Sequence, residues 1–446
     1  MKLLRLIDAI GYTVITASAC YFATAMGMGL LELRRQRTSL PVQGDAGYGN
    51  PHLGRQDQLH LYTLVPCLNE ATVIGSTVTG LAGPRSTVVV IDDGSDDDTA
   101  EAAVRDAPGG EVVVLRRNPP FARQGKGEAL NHGIRFVRHA VRTRGQDPRQ
   151  VVVCVMDADG RLSDRALAHV IPLFNDPTTG GVQLGVRIRN RRANFLTWFQ
   201  DYQFWSMAAV TQLGREATAT VSLGGNGQFT RLSALDSIGT RPWSASLTED
   251  LDLAISLALR GWQLRTTAHA SVDQQAIEHL GRLIRQRTRW YQGHMTAIAR
   301  CGEIWRSPHL AHLSALEMVC YLLVPWALDL PWSLLFQYCL AWFLLCPSYV
   351  ILRHHASYPG LRDTWLAWPV GLLLWYLLAF APALITSWAY LRRDRRVGRL
   401  RALLMGHSFV VMNYLSFLCA WKALFRMARG RTSWVKTTRE SEHPGT

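Results

Sequence analysis

Three short apolar runs in this chain are each followed by acidic side chains. Residues 61–65 lead to Asn69-Glu70, 87–91 to Asp92-Asp93, and 151–156 to Asp157-Ala158-Asp159. Carboxylates one residue apart can share Mg²⁺ or Mn²⁺, both of which take oxygen ligands. A cation held there would bind a diphosphate that the carboxylates alone would repel, and would neutralise charge on a departing one. Asp-x-Asp occurs in many loops by chance, but here it ends a hydrophobic strand.

These acids need elements that gather them. Runs at 61–65, 87–91, 111–115 and 151–156 are nearly all apolar and β-branched, and helical patterns separate them. That is the pattern of a parallel sheet covered on both faces. Ligands of such sheets bind beyond the C-terminal strand ends, so one edge would collect all three acidic sites. The edge is not a dinucleotide site, because Pro66-Cys67-Leu68-Asn69-Glu70 stands where a glycine-rich turn would be, and no P-loop is present. Ser95 and Asp98 read as the start of a helix while Asp92 or Asp93 faces the site. Gly224-Gly225-Asn226-Gly227 allows close backbone approach to a ligand or a plain tight turn. Thr248-Glu249-Asp250 alone reads as a helix start, with Thr248 as cap and the acids on the dipole.

Composition sets the surroundings. Of 446 residues, 18% are charged and 48% hydrophobic, too few and too many for disorder. Residues 9–31 lack Asp, Glu, Lys and Arg, enough for a spanning helix and long for a signal peptide. Arg34, Arg35 and Arg37 after it favour the cytoplasmic side. Runs at 330–352, 364–391 and 402–421 are also charge-free, and 313–328 is interrupted only by Glu317. The net charge is +14, of which +9 falls in residues 391–446, beside apolar segments, where anionic lipid is the expected partner rather than nucleic acid. Arg187, Arg189, Arg191 and Arg192 read as a solvated or headgroup-facing patch. The eight cysteines show no metal spacing and read as reduced thiols. Residues 282–300 read as an amphipathic, Arg-rich helix at the membrane surface.

Six motifs stand in order: Pro66 to Glu70, Asp92 to Ser95, Arg123-Gln124-Gly125-Lys126-Gly127 with Ala129-Leu130-Asn131, Asp157 to Asp159, Thr248-Glu249-Asp250, and Gln286-Arg287-Thr288-Arg289-Trp290. This set resembles the membrane-bound family 2 glycosyltransferases with their D, D, D, Q(Q/R)xRW signature, which include cellulose, chitin, hyaluronan and poly-N-acetylglucosamine synthases. The resemblance covers residues 61 to about 305. It implies an α/β GT-A domain joined to α-helical transmembrane segments, and inverting transfer from a nucleotide-sugar, usually a UDP-sugar, that builds a β-linked glycan. By resemblance Glu70 and Asp93 hold the uridine, Lys126 lies near the nucleotide, and Asp157 and Asp159 hold nucleotide and metal. Asp250 is the general base, Arg289 pairs with the diphosphate, and Gln286 and Trp290 meet the acceptor sugar. The glycine turn lacks the Phe/Cys-rich form of cellulose synthases.

The implied organisation is an anchor (1–33), a linker (34–60), a catalytic domain (61–272), interface helices (273–306), C-terminal membrane helices (307–428) and a basic tail (429–446). Three readings follow. One is processive polysaccharide synthesis with export at the plasma membrane, the catalytic domain cytoplasmic, with room for a second copy or an export partner. The next is transfer of one sugar to a lipid acceptor. The last is a non-catalytic nucleotide-sugar-binding subunit, which should lack the base or metal carboxylates; this chain has them.

Overall fold

The computed structural model describes residues 2–39, 59–83, 85–105, 111–335, 337, 367–394 and 396–431. Residues 40–58 of the expected linker, most of the expected span at 330–352 and the tail beyond 431 lie outside them, while residues 34–39, expected as linker, continue the helix Lys2–Ser39.

Among the described residues, eight strands form one sheet in the order β3-β2-β1-β4-β7-β6-β8-β5. They are β1 (His60–Cys67), β2 (Ser86–Asp92), β3 (Glu111–Arg116), β4 (Val151–Val155), β5 (Arg161–Leu162), β6 (Thr179–Ile188), β7 (Gln228–Arg231) and β8 (Gln263–Gln274). The four apolar runs of the sequence are β1 to β4, and they pair in parallel. Beyond β4 the sheet is mixed, which corrects the all-parallel expectation. Strand β7 starts where β4 ends, with Gln228 opposite Val155, and runs back antiparallel to it. Strand β6 is antiparallel to β7 and parallel to β8.

Alternation along the strands builds two cores. Leu61, Val65, Val88, Val90, Val152 and Cys154 face α2 (Ile74–Leu81), α3 (Thr99–Arg105) and α5 (Ala166–Val170). Tyr62, Leu64, Val89, Ile91, Val153 and Val155 face α4 (Lys126–Thr143), α8 (Leu232–Ile238) and α9 (Glu249–Ala258). Helix α4 meets this face with Leu130, Ile134, Val137 and Val141, spaced three and four apart as an amphipathic helix requires. Each such fully buried side chain is worth roughly 1.5–3 kcal/mol.

Helix α1 (Lys2–Ser39) precedes the sheet. Helices α6 (Phe195–Tyr202) and α7 (Ala209–Gly214) are joined by a π-helical turn, Gln203–Ala208. After the sheet come α10 (Leu280–Thr296), α11 (Cys301–Trp305), α12 (His312–Leu323), α13 (Ala367–Arg393) and α14 (Arg399–Ala428). A second π-helical turn, Val324–Asp329, carries α12 on to Leu335. Three helical stretches, Ala9–Arg37, His312–Leu335 and Arg399–Ala428, are long and apolar enough to cross a membrane. Glycine sets the join between α1 and α7. A Cβ on Gly29 would lie 1.9 Å from the Val210 carbonyl oxygen, and one on Gly214 would lie 2.6 Å from that of Ala25.

Of the four arginines expected as a solvated patch, Arg192 is exposed, but Arg187, Arg189 and Arg191 are partly buried and partnered. Arg187 and Arg191 each lie 2.6 Å from Asp394 Oδ2, and Arg191 is 3.1 Å from Asp201. The Tyr390 hydroxyl donates to Asp201. Arg189 donates to the carbonyls of Asp159 and Asp273. Desolvated arginines need such partners, and these come from α6 and the end of α13.

Asn131 ties α4 to the segment leading into α9. Its Nδ2 donates to the Trp243 carbonyl at 2.7 Å and its Oδ1 accepts the Trp243 amide at 3.2 Å, all buried. Asn131→Ala strands both backbone groups. It should destabilise the protein by about 2–4 kcal/mol, read as a lower melting temperature in detergent; a melting temperature equal to wild type contradicts this.

Candidate active site

The C-terminal ends of β1, β2 and β4 open on a cavity of about 560 Å³. Pro66, Cys67, Glu70 and Asp93 stand in its wall. The loops there lace together. The Asn69 amide donates to Ser95 Oγ at 2.9 Å, the Asp96 amide donates to Asn69 Oδ1 at 2.8 Å, and the Ser95 amide donates to Asp92 Oδ1 at 2.9 Å. Ser95 therefore braces β1's loop instead of starting a helix. Helix α3 begins at Thr99, where Asp97 Oδ1 accepts the amide. Asp93 is buried and paired with the Arg117 guanidinium. Burial pushes its carboxyl up, against the Arg123 amide and Arg117.

Lys126 occupies the middle of the site. Gly125, at φ +111°, turns the chain so that Lys126 opens α4. Its Nζ donates to Asp157 Oδ1 at 2.6 Å and to the Gly225 carbonyl at 2.7 Å. Glu249 and Asp250 also face it. Together with Asp157 they hold the ammonium charged against the burial that would lower its pKa. Glu249 and Asp250 form a tightly coupled buried pair. Burial raises both, and the neighbouring Asp250 charge helps push Glu249 up to about 7, while Lys126 and Arg289 oppose. Thr248 Oγ1 makes no cap bond, so it is no side-chain cap.

Gly225 is both a turn and a close approach. It sits at φ +64°, and a Cβ there would lie 2.9 Å from Asp250 Oδ2 and 3.2 Å from Lys126 Nζ. The turn is anchored behind by Asn226, whose Oδ1 accepts the Asp157 amide at 3.1 Å.

The two expected metal carboxylates part company. Asp157 lines the cavity, its side chain 27% exposed. Asp159 is 1% exposed, off the cavity wall, and its Oδ2 accepts the Gln275 amide at 2.9 Å. Among the described residues no group of three or more His, Cys, Asp or Glu side chains is placed to hold a metal ion.

Helix α10 forms another wall. Gln286, Arg289 and Trp290 all line the cavity, and Arg289 Nη1 donates to the Leu247 carbonyl at 3.0 Å, just before Thr248-Glu249-Asp250. The structure thus brings Glu70, Asp93, Lys126, Asp157, Asp250, Gln286, Arg289 and Trp290 onto one surface.

Other cavity residues have no role assigned from the sequence. Arg287 lies over Phe204 and Trp290 at 5.1 and 4.7 Å and donates to Gln203 Oε1 at 2.8 Å. Burial brings its pKa down to about 10. His294 shares its ring nitrogen with the Tyr321 carbonyl at 2.9 Å, and burial holds its pKa down at about 4, so it is neutral at pH 7. Past them, Asp329 from the second π turn and Met412, Leu415 and Ser416 from α14 close the far end. One continuous space therefore joins the acidic sheet edge to helices of membrane-spanning length.

Residues 58–293 match the family model "Glycosyltransferase like family 2". A β-monoglucosyldiacylglycerol synthase of Trichormus variabilis is 31% identical over 240 residues, which is 52% of this chain and 48% of that protein. The chain thus spans about half the length of that relative. The Synechocystis protein of the same name is 29% identical over 391 residues, 84% of this chain and 74% of its own. A poly-β-1,6-N-acetyl-D-glucosamine synthase of Staphylococcus aureus is 29% identical over 237 residues, 52% of this chain and 53% of that protein. Among solved structures, a mannosyltransferase of Pyrobaculum calidifontis, in complex with GDP-Man and Mn²⁺, superposes with TM-score 0.52 at 19% identity, over 92% of this chain and 99% of that one. The fold is GT-A, and the chain belongs to the family 2 glycosyltransferases.

Proposed function

We propose that this enzyme transfers one hexose, with inversion, from a UDP-sugar to a hydroxyl of a membrane lipid. One observation carries the proposal: the cavity continues from Lys126 and Asp250 past Trp290 to Asp329, Met412, Leu415 and Ser416. An acceptor entering from the membrane side would meet the carboxylates directly. The likeness to the β-monoglucosyldiacylglycerol synthases of Trichormus and Synechocystis, at 31% and 29% identity, supports it. The Staphylococcus relative keeps processive synthesis of a β-glycan as the second reading. Sizing the product separates them: single transfer gives one glycolipid band, and a ladder sinks the proposal. Arg34, Arg35 and Arg37 at the end of α1 support a multi-pass protein with its catalytic domain in the cytoplasm.

In this reading Glu70 and Asp93 receive the nucleoside, and Arg289 and Lys126 meet the diphosphate. The acceptor oxygen bonds to the anomeric carbon as the bond to the diphosphate breaks. Asp250 takes the hydroxyl proton from the opposite side. Its Oδ1 accepts the Leu251 amide at 2.8 Å, which fixes the carboxylate in its plane. Trp290 offers the acceptor an aromatic face.

Asp157 fits a divalent ion, because it is cavity-facing and Mg²⁺ binds through one or two carboxylates plus substrate phosphates. When bound, Mg²⁺ or Mn²⁺ neutralises charge on the leaving diphosphate. Asp159 would supply the second carboxylate of the motif by turning from the Gln275 amide.

Asp250→Asn should cut transfer by at least about 10²-fold while UDP binding, measured calorimetrically, is retained. Turnover equal to wild type rules Asp250 out as base. Because burial raises the Asp250 carboxyl, the base loses its proton at higher pH than an ordinary aspartate, and the rate should still be climbing with pH above the usual carboxylate range. Glu249→Gln removes one like charge, so the ascending limb of kcat/KM should move to lower pH; a limb that stays in place excludes this coupling. Chelation by EDTA should abolish transfer, with activity restored by Mg²⁺ or Mn²⁺. In Asp157→Asn restoration should take at least tenfold more metal, and an unchanged metal titration removes Asp157 from the ion.

A further inference from the structure

Desolvated arginines elsewhere in this chain meet carboxylates, as Arg117 meets Asp93, Arg187 and Arg191 meet Asp394, and Arg215 meets Glu317. Two that line the cavity, Arg287 and Arg393, have no carboxylate partner among the described residues. Both stack on successive rings of the π-helical turn Gln203–Ala208. Arg393 lies 3.9 Å over Trp205, and Arg287 lies 5.1 Å over Phe204 and 4.7 Å over Trp290. Stacking covers the face of a guanidinium and leaves its edge of N–H donors for a ligand. Arg287 gives one donor to Gln203, while Nε and Nη1 of Arg393 are shut away from water with no acceptor. The charges that act on Arg393 are themselves positive, Arg187 and Arg37. Neither Glu249, Asp250 nor Asp329 acts on either guanidinium, which sets this part of the cavity apart from the catalytic acids. A buried charge without a counter-charge is costly, and the cavity is where an anion would meet these two.

We infer that Arg393 and Arg287 form a subsite for the phosphate of an anionic lipid, and that the sugar is transferred to a hydroxyl on that lipid's head. This rests on the lipid-acceptor reading above and narrows it. The depth of the site selects the source of the anion. Arg37 Nη2 donates to the Arg392 carbonyl at 2.8 Å, which sets Arg393 level with the end of the apolar stretch Ala9–Arg37. Headgroups begin where such a stretch ends, so lipid phosphates lie at this level. The planar fork of donors on an arginine suits the oxygens of a phosphate. Arg287 stands beside Trp290, the ring proposed to face the acceptor, so a phosphate held here would bring the rest of the head toward that ring. A neutral head with a hydroxyl alone would leave both guanidiniums unmet.

The full-length protein in vesicles, supplied with a UDP-sugar, would be offered phosphatidylglycerol, which has a phosphate and hydroxyls, or diacylglycerol, which has a hydroxyl and no phosphate. Wild type should favour phosphatidylglycerol. Arg393→Met keeps the length and removes the charge, and it should raise the KM for phosphatidylglycerol about tenfold or more, the loss of a hydrogen bond to a charged group, and the KM for diacylglycerol far less. Arg287→Met should act in the same direction and carries the test if Arg393→Met does not fold; retained UDP binding certifies folding in each. Calorimetry on the UDP-saturated protein reads the phosphate alone: glycerol phosphate should bind wild type more tightly than it binds either variant. Wild-type preference for diacylglycerol overturns the inference and leaves the lipid-acceptor reading standing. A KM for phosphatidylglycerol that stays put in the variants, or a rise equal for the two lipids as a merely structural role would give, also overturns it. Transfer to glycerol phosphate in solution but to neither lipid keeps the phosphate subsite and overturns the lipid-acceptor reading. A polymer from wild type overturns that reading too, and glycerol phosphate that binds wild type no better than the variants then removes the subsite as well.

Discussion

One ammonium group organises this site. Asp157, Glu249 and Asp250 come from strand ends and a helix start far apart in sequence, and they converge on Lys126. Three carboxylates brought together in a partly desolvated space repel each other by several kcal/mol, or else take up protons. Lys126 relieves that repulsion and remains charged because they surround it. Its bond to the Gly225 carbonyl fixes the height of the glycine turn above α9. A side chain at Gly225 would fill the space that lets Asp250 and Lys126 approach. In the proposed reaction the same arrangement would make donor charge tolerable: an incoming diphosphate would meet a lysine and Arg289 at a place where the acids are already partly neutralised.

The scaffold holds that convergence through buried polar clamps more than through hydrophobic contact alone. Asn131 fixes the Trp243 segment to α4, so Lys126 and the Thr248 turn move together. On the other side Arg187, Arg191, Asp201, Tyr390 and Asp394 join β6 and α6 to the end of α13. Such a network contributes little net stability after desolvation, but breaking one member leaves a buried charge unpaired. It therefore fixes orientation: the sheet cannot tilt against the end of α13 without separating these ions. Arg215 with Glu317 does the same between the end of α7 and α12.

Much of the scaffold was legible in the chain because it depends on local pattern. Strands β1 to β4 are apolar runs with acids after them, and α4 has its spacing of three and four. The mixed half of the sheet was not legible. Strand β7 is four residues long and polar at Gln228, Thr230 and Arg231, so periodicity carries no sign of it or of its direction. The arginine run was misread because its partners Asp201 and Asp394 lie up to 207 residues away, and solvation is the default for unpaired arginines. Asp159 looked equivalent to Asp157 because spacing does not say which way a side chain turns at a strand end. Nothing local to Asp329 marks it, since only the fold places it on the cavity.

The acidic pair at the start of α9 raises the question of which carboxylate accepts the proton. Both are close to Lys126 and both are raised by burial. Glu249 is 6% exposed and packs toward α4, with its Cβ 3.6 Å from where a Cβ on Gly127 would be. Asp250 instead turns its Oδ2 toward the Gly225 backbone on the cavity wall, while its Oδ1 is held by the Leu251 amide. An oxygen restrained at one end and open to the cavity at the other can receive a proton without moving its neighbours. A more deeply buried glutamate is better suited to tuning that oxygen's basicity. In the proposed reaction neighbouring acids of unlike burial would therefore divide the work: Asp250 would meet the acceptor, and Glu249 would set the pH at which it can do so.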